Sequence, residues 1–227
     1  DILTGQRAGL ATKIDTQKVY AMKVIRKALL FGDDSRVSQA ITEKQVMQQM
    51  ASRPHPYVIS LRYAFQTVDN IFLVMDLVGG GDLYQLLETK GRLPEAWVVV
   101  YAAEVALALE HVHAHDVIFR DLKPENVMIG VDGHLKLTDF GLSKQLEDSS
   151  IDGKKSTTTK TICGTPEYIA PEVLQGRAYN SSIDWWTYGC LVYEMVHGSA
   201  PFRSLDMGSL VQLITKCKVN FKPEFCS

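Results

Sequence analysis

Residues 119–141, FRDLKPENVMIGVDGHLKLTDFG, constrain this chain more than any other stretch. Two apolar runs, 126–129 and 134–138, flank the pair Asp132-Gly133. Asp-Gly between such runs predicts a hairpin, because the tight turn needs residues that tolerate positive φ. A tight loop over 119–125 leads into it. The arrangement brackets Asp121, Asn126 and Asp139, with Lys123 between the first two. Hard oxygen donors at loop ends suit Mg²⁺, which takes one or two carboxylates and fills its shell with phosphate and water. Asp121 and Lys123 then read as a base and a cation beside a phosphate-bound metal.

The composition is compatible with one large domain or two lobes. A hydrophobic content of 46% supplies a core, and a net charge of -2 argues against nonspecific binding to nucleic acid or anionic membranes. Cys163, Cys190, Cys217 and Cys226 show no paired spacing and read as reduced thiols of a cytoplasmic or nuclear protein. No leader peptide is expected. The longest apolar stretch, 96–109, reads as too short for a membrane span and contains Glu104.

FRDLKPEN together with DFG resembles the catalytic loop and metal-binding loop of eukaryotic protein kinases. Asp-Phe-Gly alone would fit any turn after a strand. Arg-Asp, Lys two residues on, Asn five on and then Asp-Phe-Gly at the far end of a hairpin is a specific pattern. The usual His of the catalytic loop is Phe119 here, a packing position. The resemblance implies an α+β, two-lobed fold: a small antiparallel-sheet lobe with one helix over 1–78, and a larger, mainly helical lobe over 79–227. It also implies ATP and Mg²⁺, with the metal on Asn126 and Asp139.

In chain order, 8–14 and 18–25 predict two strands joined by the turn Asp15-Thr16-Gln17. Both faces of the second are largely apolar, so Lys23 sits among buried neighbours and needs a partner. Residues 35–50 predict a helix with Ala40, Glu43, Met47 and Met50 on one face. A glutamate on that stripe is explained by Lys23; the resemblance makes Lys23 the residue that grips the α- and β-phosphates of ATP and this the ion pair that must close for activity. By the same resemblance Met47, Leu61, Phe119 and Phe140 stack through both lobes. Residues 58–65 and 71–77 predict strands. Met75 would guard the adenine pocket, with the backbone at Asp76 and Val78 bonding the base. Gly79-Gly80-Gly81 reads as a flexible hinge before Asp82, an N-cap acid to which the family adds a ribose or substrate contact.

Pro94 opens a helix to about His111 that is apolar almost all round and is expected to be buried. His111, His113 and His115 tempt a metal reading, but i and i+2 point apart on a helix, and they are read as a plain helix end. TICGTPEYIAPE resembles the activation segment of the AGC group, relatives of the cyclic-nucleotide-dependent kinases. By position, Thr161 is the regulatory phosphosite of an upstream kinase, with Arg120 its nearest basic partner. Thr165 bonds near Asp121 and Lys123. Asp184 opens the helix 181–197, capped by Ser181 or Ser182 and ended by Gly198, and by resemblance anchors the catalytic-loop backbone. Asp82, Glu125 and Glu194 occupy the family positions that read basic residues upstream of a Ser or Thr in protein substrates.

Two departures stand out. The family's glycine-rich phosphate loop falls on roughly the first eight residues, where only Gly5 occurs, and Gly9 is out of phase. The family's last helices, one with an arginine that pairs with the position of Glu172, are not seen, so Glu172 is expected to be an unpaired buried charge. The expectation is a Ser/Thr kinase of AGC type, against a catalytically weak binding module or a fragment that does not fold alone.

Overall fold

A computed structural model describes residues 6–30, 32–146, 159, 161 and 163–221. In VYAMKVIR, Tyr20 and Ile25 are buried on opposite faces and the residues between them are half-buried, so β2 (Val19–Arg26) is covered on both faces and exposed only at its ends, Val19 and Arg26. It pairs antiparallel with β1 (Gln6–Thr12) on one side. The turn between them uses Gln17 at φ 54°. Lys27–Leu29 forms a single 3₁₀ turn, and α1 (Asp34–Ser52) follows. Asp33 caps α1 by accepting from the backbone N–H of Ser35 and Arg36. The inner face of α1 is Ala40, Glu43, Val46, Met47 and Met50, as the helical spacing predicts.

Two more strands complete the sheet, β3 (Leu61–Gln66) and β4 (Asn70–Asp76), in the order β1-β2-β4-β3. The strand expected from residue 58 starts three residues later. Val58 instead makes an isolated parallel bridge to Leu137, Ile59 N–H donates to Leu137 O at 2.9 Å, and Leu137 N–H donates to Tyr57 O at 2.8 Å. These residues spend their backbone on the hairpin rather than on the sheet.

Helices dominate the second half. After α2 (Leu83–Lys90) come α3 (Glu95–His113), the short β5 (Val117–Ile118) and the 3₁₀ turn Pro124–Asn126. The predicted hairpin is β6 (Val127–Ile129) and β7 (Leu135–Leu137), with Gly133 at φ 83° in its turn. β8 (Lys144–Gln145) pairs with β5. The 3₁₀ turn Pro166–Tyr168 precedes α4 (Pro171–Leu174), α5 (Ser182–His197) and α6 (Met207–Thr215).

Three expectations need correction. First, α3 buries only one face, with Val98, Tyr101, Val105, Ala108, Leu109 and Val112, while Trp97, Val99, Val100 and Leu107 are exposed. Composition sets how apolar a helix is; the number of neighbours it meets sets how much is covered. The whole 19-residue helix is long and apolar enough to cross a membrane by length and composition only, a test that a core helix also passes. Its buried Glu104 is paired, at 2.5 Å, with Nδ1 of His134. Second, His113 does part from its neighbours, but His111 and His115 meet one turn apart (centroids 4.5 Å), and His55 stacks on His111 at 4.8 Å. Even so, no metal-binding group of three or more such side chains forms among the described residues. Third, neither Ser181 nor Ser182 caps α5 with its side chain; Asn180 Oδ1 accepts from Ser182 N–H at 2.9 Å. Gly198 ends α5 at φ 77° as expected.

Candidate active site

The loop between β5 and the hairpin is held from below. Asp184, in the first turn of α5, is fully buried, and its carboxylate accepts from the N–H of Phe119 and of Arg120, both at 2.8 Å. His113 Nε2 lies 2.7 Å from the same group. These bonds support Arg120 at φ 69°, a backbone region that a side chain rarely adopts. The Arg120 guanidinium turns inward: its Nε donates to Leu142 O at 2.6 Å. The Phe119 ring is buried edge-on against Phe140 at 5.3 Å, and Met47 and Leu61 are buried with them. That is the packing role expected of Phe119.

Above this floor four polar side chains converge. Asn126 Nδ2 donates to Asp121 Oδ2 at 2.9 Å and to Asp121 O at 2.7 Å. Lys123 Nζ lies 3.2 Å from Asp121 Oδ2 and donates to Thr165 Oγ1 at 3.1 Å. Thr165 Oγ1 in turn donates to Asp121 Oδ1 at 3.3 Å. Burial pushes the Asp121 carboxyl above the usual aspartate range, although Lys123 and Asn126 pull the other way. Asp139 sits at the end of the hairpin at φ 60°. Burial would raise it too, but the Lys23 cation and the Gly141 N–H hold it below the usual value.

Lys23 joins the sheet to this group. Its Nζ lies 2.5 Å from Glu43 Oε1 and 2.9 Å from Asp139 Oδ1. Burial works against its charge, but the two carboxylates outweigh that and keep its pKa above the ordinary lysine value. Met75 is half-buried on β4, Val78 is buried just beyond it, and Asp76 pairs with Tyr20 across the sheet. The Asp76 carboxylate is held by Arg62 through Nε and Nη2.

The remaining expected residues divide. Glu125 and Glu194 line one cleft with Thr165; Asp82 does not, because its carboxylate caps α2 by accepting from Gln85 N–H at 2.7 Å. Burial lifts Glu194 to about 7, with Glu125 adding to the shift, Arg203 opposing it and Glu167 adding again. Tyr168 OH donates to its carboxylate. Nothing in the sequence singles out Glu167, Tyr168 or Arg203, although Glu167 and Tyr168 stand inside TICGTPEYIAPE. Thr161 is exposed, its carbonyl accepts from Tyr179 OH at 2.5 Å, and Arg120 Nη1 donates to that same hydroxyl at 3.3 Å. Arg120 and Thr161 are therefore linked through a tyrosine that the sequence did not single out. Glu172 is half-buried rather than buried, and no ion pair to it forms among the described residues. Of the first eight residues, on which the family's phosphate loop falls, 1–5 lie outside the described residues, and so do 147–158.

A sheet with one helix packed on it, a sheet lysine paired with a carboxylate on that helix and with another at the end of the hairpin, and a base-cation-hydroxyl cluster beside it define the class. The protein kinase domain model matches residues 6–225. The chain is 44% identical to protein kinase 2 of Dictyostelium discoideum over 197 residues, 87% of this chain and 39% of that protein. It is 42% identical to the RAC family serine/threonine-protein kinase homolog of the same organism, over 95% of this chain and 46% of the relative. To human ribosomal protein S6 kinase alpha-1 it is also 42% identical, over 95% of this chain and 28% of the relative. The chain thus belongs to the protein kinase family, among the serine/threonine kinases of the AGC group. It spans less than half the length of these relatives.

Proposed function

We propose that the protein carrying this chain transfers the terminal phosphoryl group of ATP to Ser or Thr hydroxyls of protein substrates with basic residues upstream of the target. One observation carries the reading: the Asp121 carboxylate is bonded at once to Asn126, Lys123 and Thr165 while Lys23 is closed on Glu43. The donor set fits Mg²⁺. Lys23 and Gly141 bond Asp139 through Oδ1, and Asn126 bonds Asp121 through Nδ2, so Asp139 Oδ2 and Asn126 Oδ1 have no partner among the described residues. Asp139 and Asn126 would hold the metal, which supplies positive charge against the phosphates. Asp121 orients the acceptor hydroxyl and takes its proton, a role helped by a carboxyl raised above its usual range. Lys123 and Lys23 stabilise charge on the transferring and remaining phosphates. Met75, Val78 and the backbone of Asp76 form the adenine side of the cleft, the lobes dividing near residue 78. Thr161 is the site at which an upstream kinase adds a phosphate facing Arg120.

Basic substrate residues are read by Glu125 and Glu194, since a carboxylate takes a guanidinium through two parallel bonds. Asp82, which caps α2 through Oδ1, adds a ribose or substrate contact through its other oxygen.

The test uses the full-length protein. Asp121→Asn should leave nucleotide binding nearly intact and cut kcat by on the order of 10²- to 10⁴-fold, the usual worth of a positioned base. Near-normal turnover in that variant would overturn the mechanism.

A further inference from the structure

Tyr179 lies on the segment between α4 and α5 and is buried in one apolar cluster with Ile118, Ile169, Val173 and Ile183. Its backbone makes both bonds of an antiparallel bridge with Thr159: its N–H donates to Thr159 O at 2.9 Å, and its carbonyl accepts from Thr159 N–H at 2.8 Å. Its hydroxyl donates to Thr161 O at 2.5 Å and accepts from Arg120 Nη1 at 3.3 Å. One tyrosine thus joins the segment that carries Thr161 to the residue just before Asp121. Burial pushes the phenol above the ordinary tyrosine range, with Arg120 opposing and Cys163 adding to the shift, so the hydroxyl keeps its proton and serves as donor and acceptor together.

These bonds use the carbonyl of Thr161 and the backbone of Thr159 and leave the Thr161 side chain out, so they are compatible with either state of that threonine. Arg120 is itself fixed, its N–H by Asp184 and its Nε by Leu142 O. Further along, a Cβ on Gly164 would lie 3.2 Å from Arg120 O, so the segment runs close over the catalytic loop before Thr165 meets Lys123 and Asp121. The line from Tyr179 through Thr161 to Thr165 ends at the candidate base.

We propose that Tyr179 is a positioning residue that docks the activation segment on Arg120 without a phosphate, giving the protein a basal activity to which phosphate on Thr161 adds. The phosphate gives the guanidinium an anionic partner, and charge-assisted bonds are about twice as strong as neutral ones. Tyr179 therefore matters most while Thr161 is unmodified. The inference rests on the reading of Thr161 given above and deepens it by naming what holds the segment before modification.

The experiment compares two preparations of the full-length protein, one with Thr161 unmodified and one with phosphothreonine encoded genetically at that position, the state of each verified by mass spectrometry. Each is made as wild type and as Tyr179→Phe, which keeps the buried ring and removes only the hydroxyl. With Thr161 unmodified, Tyr179→Phe lowers kcat roughly 10-fold and leaves KM for ATP within about 2-fold, because the lost bonds position Thr165 and the base rather than Lys23. With the phosphate present, the loss in kcat is less than about 3-fold. A general loss of folding lowers both preparations alike and does not produce this difference. Equal losses in the two preparations, or no loss with Thr161 unmodified, overturn the proposal and leave the Thr161 reading standing. A wild type whose activity does not rise with the phosphate removes that reading, and this proposal with it.

Discussion

Asp184 shows what a single residue does here. A fully buried carboxylate is tolerable only with its lone pairs satisfied, and this one accepts from two backbone N–H groups beside His113. Replacing it by alanine strands two buried donors, each costing about 1–3 kcal/mol. Asp184→Ala should therefore destabilise the fold by about 3–5 kcal/mol, read as a lower urea midpoint, and Asp184→Asn by less, because the amide keeps one acceptor. An unchanged midpoint in Asp184→Ala would show that the loop has another support. An acid in the first turn of a helix is accounted for by helix electrostatics alone, so only the family resemblance pointed from Asp184 to the loop. Lys23 and Glu43 were different: a charge on an apolar strand and a charge on an apolar helix face each lacked a partner in the sequence, and each was the other's answer. Tyr179 gave no such signal, since a tyrosine in a polar stretch is chemically at ease anywhere.

At the scale of elements, the hairpin was legible because Asp-Gly specifies its own turn, whereas the covering of α3 was not, because it depends on what packs from elsewhere. One contact between the two has a pH signature. Glu104, buried on α3, uses one oxygen for His134 and the other for Leu135 N–H at 2.8 Å, holding the hairpin turn to the helix. The Glu104 carboxylate raises the pKa of His134. A raised histidine favours the folded state below its unfolded pKa of about 6.5, and that contribution fades as pH rises through the folded value. The thermal midpoint of the wild type should thus fall on going from about pH 6 to about pH 9 by more than that of His134→Gln. Parallel curves for the two proteins would mean that the pair does not distinguish folded from unfolded.

On the scale of the whole molecule, the triple glycine is the element most changed by the structure. The sequence suggests a loose hinge. Instead Gly80 N–H donates to Ile129 O at 2.8 Å, and Ile129 N–H donates to Gly81 O at 2.8 Å, so the linker is laced to β6. A Cβ on Gly80 would lie 2.5 Å from Ile129 O and 2.9 Å from Gly130 O, closer than carbon and oxygen approach. Gly80→Ala should cost about 1–3 kcal/mol, the usual penalty of overpacking. Gly79→Ala, which meets only the Val131 side chain at 3.1 Å, should cost less. Comparing the two by chemical denaturation checks the close approach, and equal losses would rule it out. The lacing at residues 79–81 is matched by the bonds of Tyr57, Val58 and Ile59 to Leu137. The hairpin is therefore stitched along both margins, and Asn126 and Asp139, at its two ends, are bound into the same spine as Asp121.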